Sequence, residues 1–388
     1  MAAPARLSGG GPFGGRGRYP WRTFVNGARG ADVARLIDII DQFRRESILV
    51  LGDFVADEFV FGEISRVSRE APVLILRRRE MHTLPGGGAN AVNNLADLGA
   101  RVHPVATLGD DAAGDGLAEY FRKKKVDTAG LLHRSGWTTP AKTRFLAGWP
   151  HTAQQQVLRV DREPDGLPDA AIEMIVRKAR ERIAGVSAVL ISDYGYGSAT
   201  PEIVASIRGR KRWARPVTLD SRHRLHAYAG LDLTAATPNE AEIEAAHNAQ
   251  IAGDPSKLDS FARRTMARLN LGALVVTRGR HGMTVFERGR APQPLAVFGS
   301  DQAVDVTGAG DTVIAAFTLA LAAGASVLQA ARIANYAGGI VVMKRGTATV
   351  TREELVAAIR SDASEKCAEP GCSSAGVPGS SPRTSPTG

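Results

Sequence analysis

Four short apolar runs constrain the fold of this chain more than anything else in it: Ile48-Leu49-Val50-Leu51, Ala188-Val189-Leu190-Ile191, Val217-Thr218-Leu219 and Leu274-Val275-Val276. Each is bounded by polar or turn residues and is short, the pattern of strands covered on both faces. Helical stretches lie between them, for example Ala170 to Ile183 and Pro201 to Ile207. Such alternation predicts an α/β fold, a doubly wound, mostly parallel sheet with helices on both faces. Ligands of such sheets collect at the C-terminal strand ends, so polar residues just past each run are the first candidates for function.

The densest chemistry lies elsewhere, in Asp305-Val306-Thr307-Gly308-Ala309-Gly310-Asp311-Thr312. A long apolar run without proline, Val313 to Ala323, follows it and predicts a helix starting at or near Asp311. A Gly-rich turn that opens a helix aims backbone N–H groups and the positive dipole end at one point, where an anion belongs. The Asp311 carboxylate would face that point and could take a proton from an attacking hydroxyl. A turn that merely starts a buried helix would carry similar glycines, so the wider string has to decide.

That string resembles the C-terminal signature of the PfkB (ribokinase-like) carbohydrate kinases, and a second signature stands upstream. Gly86-Gly87-Gly88-Ala89-Asn90 leads into a helix ending at Leu98-Gly99, and Gly109-Asp110-Asp111 follows a short apolar strand. Val92 departs from the small residue usual at its position. The resemblance spans roughly residues 47 to 360. It implies a ribokinase-like fold with a small β lid, Asp311 as catalytic base, and an anion hole at Gly308, Ala309 and Gly310 that continues to the N–H of Asp311. ATP is then the phosphoryl donor and Mg²⁺ the metal, with a monovalent cation left open.

Other positions follow by the same resemblance. Gly52-Asp53 and Asp57 fit the family's opening pattern; Asp53, Gly87, Gly88 and Asn90 would bind the sugar, with Asp193 beside them. Asp57 reads equally well as a turn-capping residue. Thr237-Pro238-Asn239-Glu240-Ala241-Glu242 carries the Asn-x-x-Glu pair that places Mg²⁺ and phosphate through water; Asn239 and Glu242 also spell a helix capping box, and the two readings are compatible. Thr277, Gly279 and Gly282 would line the nucleotide's ribose and phosphates, and Asn335 would lie near adenine.

Within the family, three segments resemble the subgroup that phosphorylates D-glycero-β-D-manno-heptose 7-phosphate: Gly62 to Val73, Gln155-Gln156-Val157-Leu158-Arg159-Val160-Asp161, and Ala303 to Val313. The resemblance puts lid strands at about 58–78 and 141–160 and implies a homodimer through them. A sugar that already bears a phosphate asks for cations, and guanidinium groups suit phosphate by bidentate geometry. Lys142, Arg144 and Arg159 are the candidates; lid salt bridges and solvated charge are the alternative for each. Tyr196 stands where the subgroup has lysine, and Asp220-Ser221-Arg222 where it has Asp-Pro-Lys. These departures bear on the sugar more than on the reaction, and Lys142 or Arg222 would have to supply the charge. Another sugar or nucleoside as acceptor (ribose, fructose, adenosine), or a non-catalytic sugar sensor, remain the alternatives.

Composition narrows the setting. No apolar run among the 388 residues reaches the roughly 18 needed to cross a bilayer. The only cysteines, Cys367 and Cys372, have no His or further Cys partners nearby, so a zinc or disulfide framework is not expected and a reducing cytoplasm is. The net charge of +9 would suit nucleic acid, but five arginines fall at 6, 16, 18, 22 and 29 and no aromatic-interleaved basic platform is present. Neither a nucleic-acid nor a membrane partner is expected. His82, His223, His247 and His281 lack metal-ligand spacing and read as ordinary surface or loop histidines. Residues 1–30, rich in Gly and Arg, and 362–388, rich in Ser, Pro and Gly, read as disordered tails around a kinase domain at 31–361. The nucleotidyltransferase domain that follows the kinase in the subgroup's bifunctional members is not expected.

Overall fold

The computed structural model describes residues 30–149, 154–210, 212–299 and 302–368. The first expected tail and the end of the second lie outside the described residues. Strands among them are β1 (Ser47–Gly52), β2 (Phe54–Val67), β3 (Leu74–Gly87), β4 (Arg101–Gly109), β5 (Leu131–Arg134), β6 (Ala141–Gly148) and β7 (Gln155–Arg162). They continue with β8 (Ala188–Asp193), β9 (Val217–Ser221), β10 (Ala235–Ala236), β11 (Ala273–Thr277), β12 (Met283–Glu287) and β13 (Gln293–Leu295). The helices are α1 (Gly30–Gln42), α2 (Gly88–Asp97), α3 (Ala112–Lys123), α4 (Asp169–Ile183) and α5 (Pro201–Arg208). After them come α6 (Glu240–His247), α7 (Pro255–Leu269), α8 (Ala309–Ala322), α9 (Val327–Val341) and α10 (Arg352–Ala368).

The main sheet has nine strands in the order β13-β12-β11-β10-β9-β8-β1-β4-β5. Every neighbour pair from β11 to β5 is parallel, and only the β11–β12–β13 edge is antiparallel. All four apolar runs named from the sequence are strands of this sheet. Alternate residues of one run feed opposite faces: Ile48 and Val50 pack with α1, α2, α3, α8, α9 and α10, while Leu49 and Leu51 pack with α4, α5, α6 and α7. This two-sided burial is why the runs are apolar throughout rather than alternating. No helix among the described residues is long and apolar enough to cross a membrane.

A second sheet of four strands, in the order β3-β2-β6-β7, is the expected lid. Its hairpins β2–β3 and β6–β7 are antiparallel, but β2 and β6 pair in parallel, with Asp57 opposite Lys142 and Phe59 opposite Arg144. Its cations are therefore delivered by a register between segments about 85 residues apart.

One boundary moves. The expected domain end at 361 falls inside α10, which continues to Ala368. The Tyr336 hydroxyl donates to Asp362 Oδ2 at 2.6 Å and ties the extra turn to α9.

The topology fixes where a ligand goes. From β1 the chain reaches β4 on one side and β8 on the other, so the strand order reverses at β1. That is the switch point where doubly wound sheets open a crevice at their carboxyl ends. Gly52-Asp53 and Asp193-Tyr194 leave β1 and β8 there.

Candidate active site

Two helix N-termini meet over that crevice. Gly308 caps α8 with φ +76°, a left-handed conformation that favours glycine, and a Cβ on it would lie 2.3 Å from Asn90 Nδ2. Asp305 holds the turn by accepting from the N–H groups of Thr307 and Gly346, each at 2.9 Å. Asp311 is the third residue of α8 and is 3% exposed. Its Oδ2 accepts from Asn90 Nδ2 at 3.0 Å, and its Oδ1 accepts from the Tyr194 hydroxyl at 2.8 Å. Asn94 then donates to Asn90 Oδ1 and accepts from Thr312, which locks α2 to α8. Val92, the departure noted in the sequence, is simply core.

The Asp311 carboxyl is pushed up to about 7, by burial above all; the bonds from Asn90 and Tyr194 pull against that, and Asp57 adds to it. Burial and the Asp311 charge drive the Tyr194 phenol well above its ordinary range, so it stays a donor. A base poised near neutrality is what proton abstraction asks for. We expect kcat/KM, which reports the free enzyme, to climb with pH through about 7 as Asp311 loses its proton. Initial rates from about pH 5.5 to 9 check this, and a flat profile rules Asp311 out as the titrating base.

Fewer N–H groups are free at the start of α8 than the expected anion hole requires. The N–H of Ala309 is not free but donates to Val306 O at 3.2 Å. Those of Gly310 and Asp311 take no backbone acceptor among the described residues, as the first turn of a helix allows. Gly310 has nothing within 4 Å of where a Cβ would stand. That is the open space an anion needs.

Two acids expected to touch sugar are committed to the protein itself. Asp53 is 1% exposed; its Oδ2 accepts from the N–H groups of Tyr194 and Tyr196 at 2.9 Å and its Oδ1 from Ser198 at 2.7 Å. Its role is to pin the loop that carries Tyr194 under Asp311. Burial, with the Asp193 charge second, still lifts it to about 6. Asp193 is likewise taken, by Arg224 at 2.6 Å, Tyr228 at 2.9 Å, Ser221 at 3.0 Å and the N–H of Gly195 at 3.0 Å. Gly87 and Gly88 allow close backbone approach, since a Cβ on either would meet Asp53 O at 3.0 and 3.1 Å. Asn90 is the expected sugar-site residue that reaches the base.

The lid cations divide. Arg144 is spent on an ion pair with Asp57 at 2.6 Å, both side chains nearly buried, so neither is a free phosphate ligand or turn cap. Lys142 Nζ lies 3.6 Å from Asp161 and 3.4 Å from the Tyr196 hydroxyl. Arg159 grips the same Asp161 with two nitrogens. Lys142 and Arg159 line a cavity of about 270 Å³ with Arg222, His223, Tyr194 and Tyr196. Burial depresses the Lys142 ammonium, and neighbouring Arg159 and Arg222 oppose the help of Asp161. Tyr196, in the place of a lysine, thus shares its hydroxyl with one. His223, expected to be an ordinary loop histidine, is part of this wall.

On the nucleotide side the capping box forms: Asn239 Oδ1 accepts the N–H of Glu242 at 2.8 Å, and Glu242 Oε2 accepts that of Asn239 at 2.9 Å. Thr277 bridges to Asn239 in parallel fashion, bringing those strand ends together. Gly279 has open space at its Cβ position, whereas a Cβ on Gly282 would meet Leu295 O at 2.1 Å, so Gly282 serves packing. Asn335 donates to Ala296 O at 2.7 Å and fixes the segment after β13. Sequence reasoning missed Asp220, at the end of β9. Burial and the charges of Glu242, Asp311 and Asp193 push it well above the carboxylate range. Glu242 is raised too, by burial first. Oxygen donors short of positive charge fit a magnesium site. The position of Asp220 after an apolar run and its match to the Asp of the subgroup's Asp-Pro-Lys are the signals that point to it.

Comparison with known proteins agrees with this geometry. The model of the pfkB family carbohydrate kinases matches residues 46–161 and 205–354. The chain belongs to that family. Among curated relatives, the bifunctional protein HldE of Mesorhizobium japonicum is 41% identical over 328 residues, covering 82% of this chain and 63% of that protein. The HldE of a Caulobacter species is 39% identical over 317 residues, covering 81% and 63%. The chain thus spans less than two-thirds of the length of these relatives. Among solved structures, Arabidopsis thaliana ribokinase complexed with ribose and ATP superposes with a TM-score of 0.63 at 21% identity, covering 81% of this chain and 99% of that one. Escherichia coli phosphofructokinase-2 in complex with fructose-6-phosphate gives 0.66 at 17%, covering 81% and 98%. At such identities the two structures establish the shared fold.

Proposed function

We propose that this pfkB-family chain is an ATP-dependent kinase that phosphorylates a sugar already bearing a phosphate, namely O1 of D-glycero-β-D-manno-heptose 7-phosphate. One observation carries the reading: a buried carboxylate near neutrality at a helix N-terminus, beside a cavity that gathers Lys142, Arg159 and Arg222 against Asp161 and Glu163 and is bordered by the same Tyr194 that bonds it. The acceptor hydroxyl gives its proton to Asp311 while its oxygen forms the bond to the γ-phosphorus; the leaving electron pair goes to the β-phosphate oxygen of ADP. The free N–H groups of Gly310 and Asp311 support the charge that builds on the transferring group. Asn239 and Glu242 would hold Mg²⁺ through water, with Asp220 alongside; the metal would supply charge neutralisation on the phosphate oxygens. The sugar's own phosphate would enter the lid cavity at Lys142 and Arg159.

The test is ADP release with Mg²⁺-ATP across heptose 7-phosphate, fructose, ribose and adenosine. Turnover confined to the heptose phosphate is the expected result. Turnover on a neutral acceptor overturns the substrate, and none with any acceptor overturns the kinase.

The outer lid supports a homodimer. Val157, Leu158 and Val160 on β7, with Leu74 and Met81 on β3, are all at least 40% exposed, apolar side chains on the two edge strands of the lid that a second copy would cover. We expect the protein to sediment as a dimer and Leu158→Glu to sediment as a monomer. A monomeric parent protein at micromolar concentration removes this part of the reading.

A further inference from the structure

Arg222 stands apart from the other cations of the site. Arg144, Arg159, Arg224 and Arg278 each pair with a carboxylate, whereas among the described residues none lies within ion-pair distance of Arg222. Its backbone is nonetheless anchored: its own N–H donates to Asp193 O at 3.0 Å, and the neighbouring Ser221 and Arg224 side chains both bond the Asp193 carboxylate. A guanidinium on an anchored backbone, with no carboxylate partner among the described residues, suits a group waiting for an anion.

Its place is between the two halves of the reaction. The guanidinium carbon lies 6.0 Å from the centre of the Tyr194 ring, and that ring's hydroxyl is 2.8 Å from Asp311. Arg222 and His223 alone line both the cavity that holds Lys142 and Arg159 and a second cavity of about 290 Å³ beside Glu242. Lys142 and Arg159 face the lid cavity only.

From this placement we infer that Arg222 is a catalytic cation, which contacts the phosphoryl group while it passes from ATP to the acceptor, rather than a ligand of the acceptor's own phosphate. A loose phosphoryl transition state spreads charge over its equatorial oxygens, and a planar guanidinium can meet two of them. The inference rests on the kinase reading above but not on which sugar is the acceptor.

The decisive probe is MgADP with aluminium fluoride, a mimic of the group in transfer, titrated by calorimetry with and without the panel sugars. We expect fluoride complexation to tighten nucleotide binding by about 10²-fold in the parent protein, as transition-state mimics do. In Arg222→Gln the tightening should fall below about tenfold with MgADP affinity itself within about threefold, and Arg222→Lys should fall between. The Arg222 side chain is exposed, so these variants should melt with the parent. Undiminished tightening in Arg222→Gln overturns the inference. So does an equal loss of plain MgADP affinity, or no tightening in the parent. If turnover instead shows kcat unchanged and KM raised for the phosphorylated sugar alone, Arg222 belongs to the acceptor's phosphate. A parent enzyme that prefers a neutral sugar would overturn the substrate proposal and leave the fluoride result standing.

Discussion

Asp311→Asn should lower turnover by roughly 10²–10⁴ in a protein that still folds. The amide keeps the size of the carboxylate and one oxygen for Asn90 or Tyr194, which stand 3.0 and 2.8 Å from the two carboxylate oxygens. It cannot take the acceptor's proton. Stability should move the other way. With its pKa raised from 3.8 to about 7, Asp311 favours the folded state fully below 3.8, and that contribution is lost as pH rises through about 7. The amide has no such dependence. The melting temperature of Asp311→Asn, relative to the parent, should therefore rise between about pH 5 and 8. ADP-release rates and melting curves at both pH values test the pair. Normal turnover in the folded variant removes Asp311 as base; a melting difference that does not move with pH removes the buried charge as the source of its raised pKa.

The sequence announces the scaffold and the base more readily than it does their partners. Apolar runs such as Ala188 to Ile191 are legible because burial on both faces leaves no room for polar residues. The Gly308 turn is legible because left-handed backbone next to Asn90 admits little else. Asp53 and Asp193 stand at the strand ends the sequence points to, and both carboxylates bond the protein's own loops. A carboxylate at a strand end can serve a ligand or its own loop, and which N–H groups reach it depends on the path from Tyr194 to Ser198. The Arg144–Asp57 pair is illegible for a related reason: the β2–β6 pairing that brings Asp57 to Arg144 joins distant segments. Asp220 and Arg222 show in the sequence only as a departure from Asp-Pro-Lys, and Tyr194 only as a neighbour of Tyr196. Their meaning comes from Asp311, about 90 to 120 residues away, and only the folded sheet supplies that proximity.

Gly310→Ala tests the anion hole without disturbing the fold. Beyond its chain neighbours and the backbone of its own helix turn, the added methyl would meet no protein atom within 4 Å, and Gly310 does not have a positive φ. Alanine also favours a helix over glycine by about 1 kcal/mol, so the melting temperature should hold or rise. Activity should not. The methyl enters the space above the free N–H groups of Gly310 and Asp311, where the transferring group must come within about 3 Å. Loss of one oxyanion donor in other enzymes costs about 10²–10³ in kcat, and a comparable loss is expected here. Gly308→Ala is the counterpart: its methyl would fall 2.3 Å from Asn90 Nδ2 and its φ is +76°, so that variant should lose stability along with activity. ADP release and melting curves on the two alanines separate a group that clears space for an anion from one that shapes the backbone. Full activity in Gly310→Ala would move the phosphoryl group away from the start of α8, and with it the reason for placing a base at Asp311.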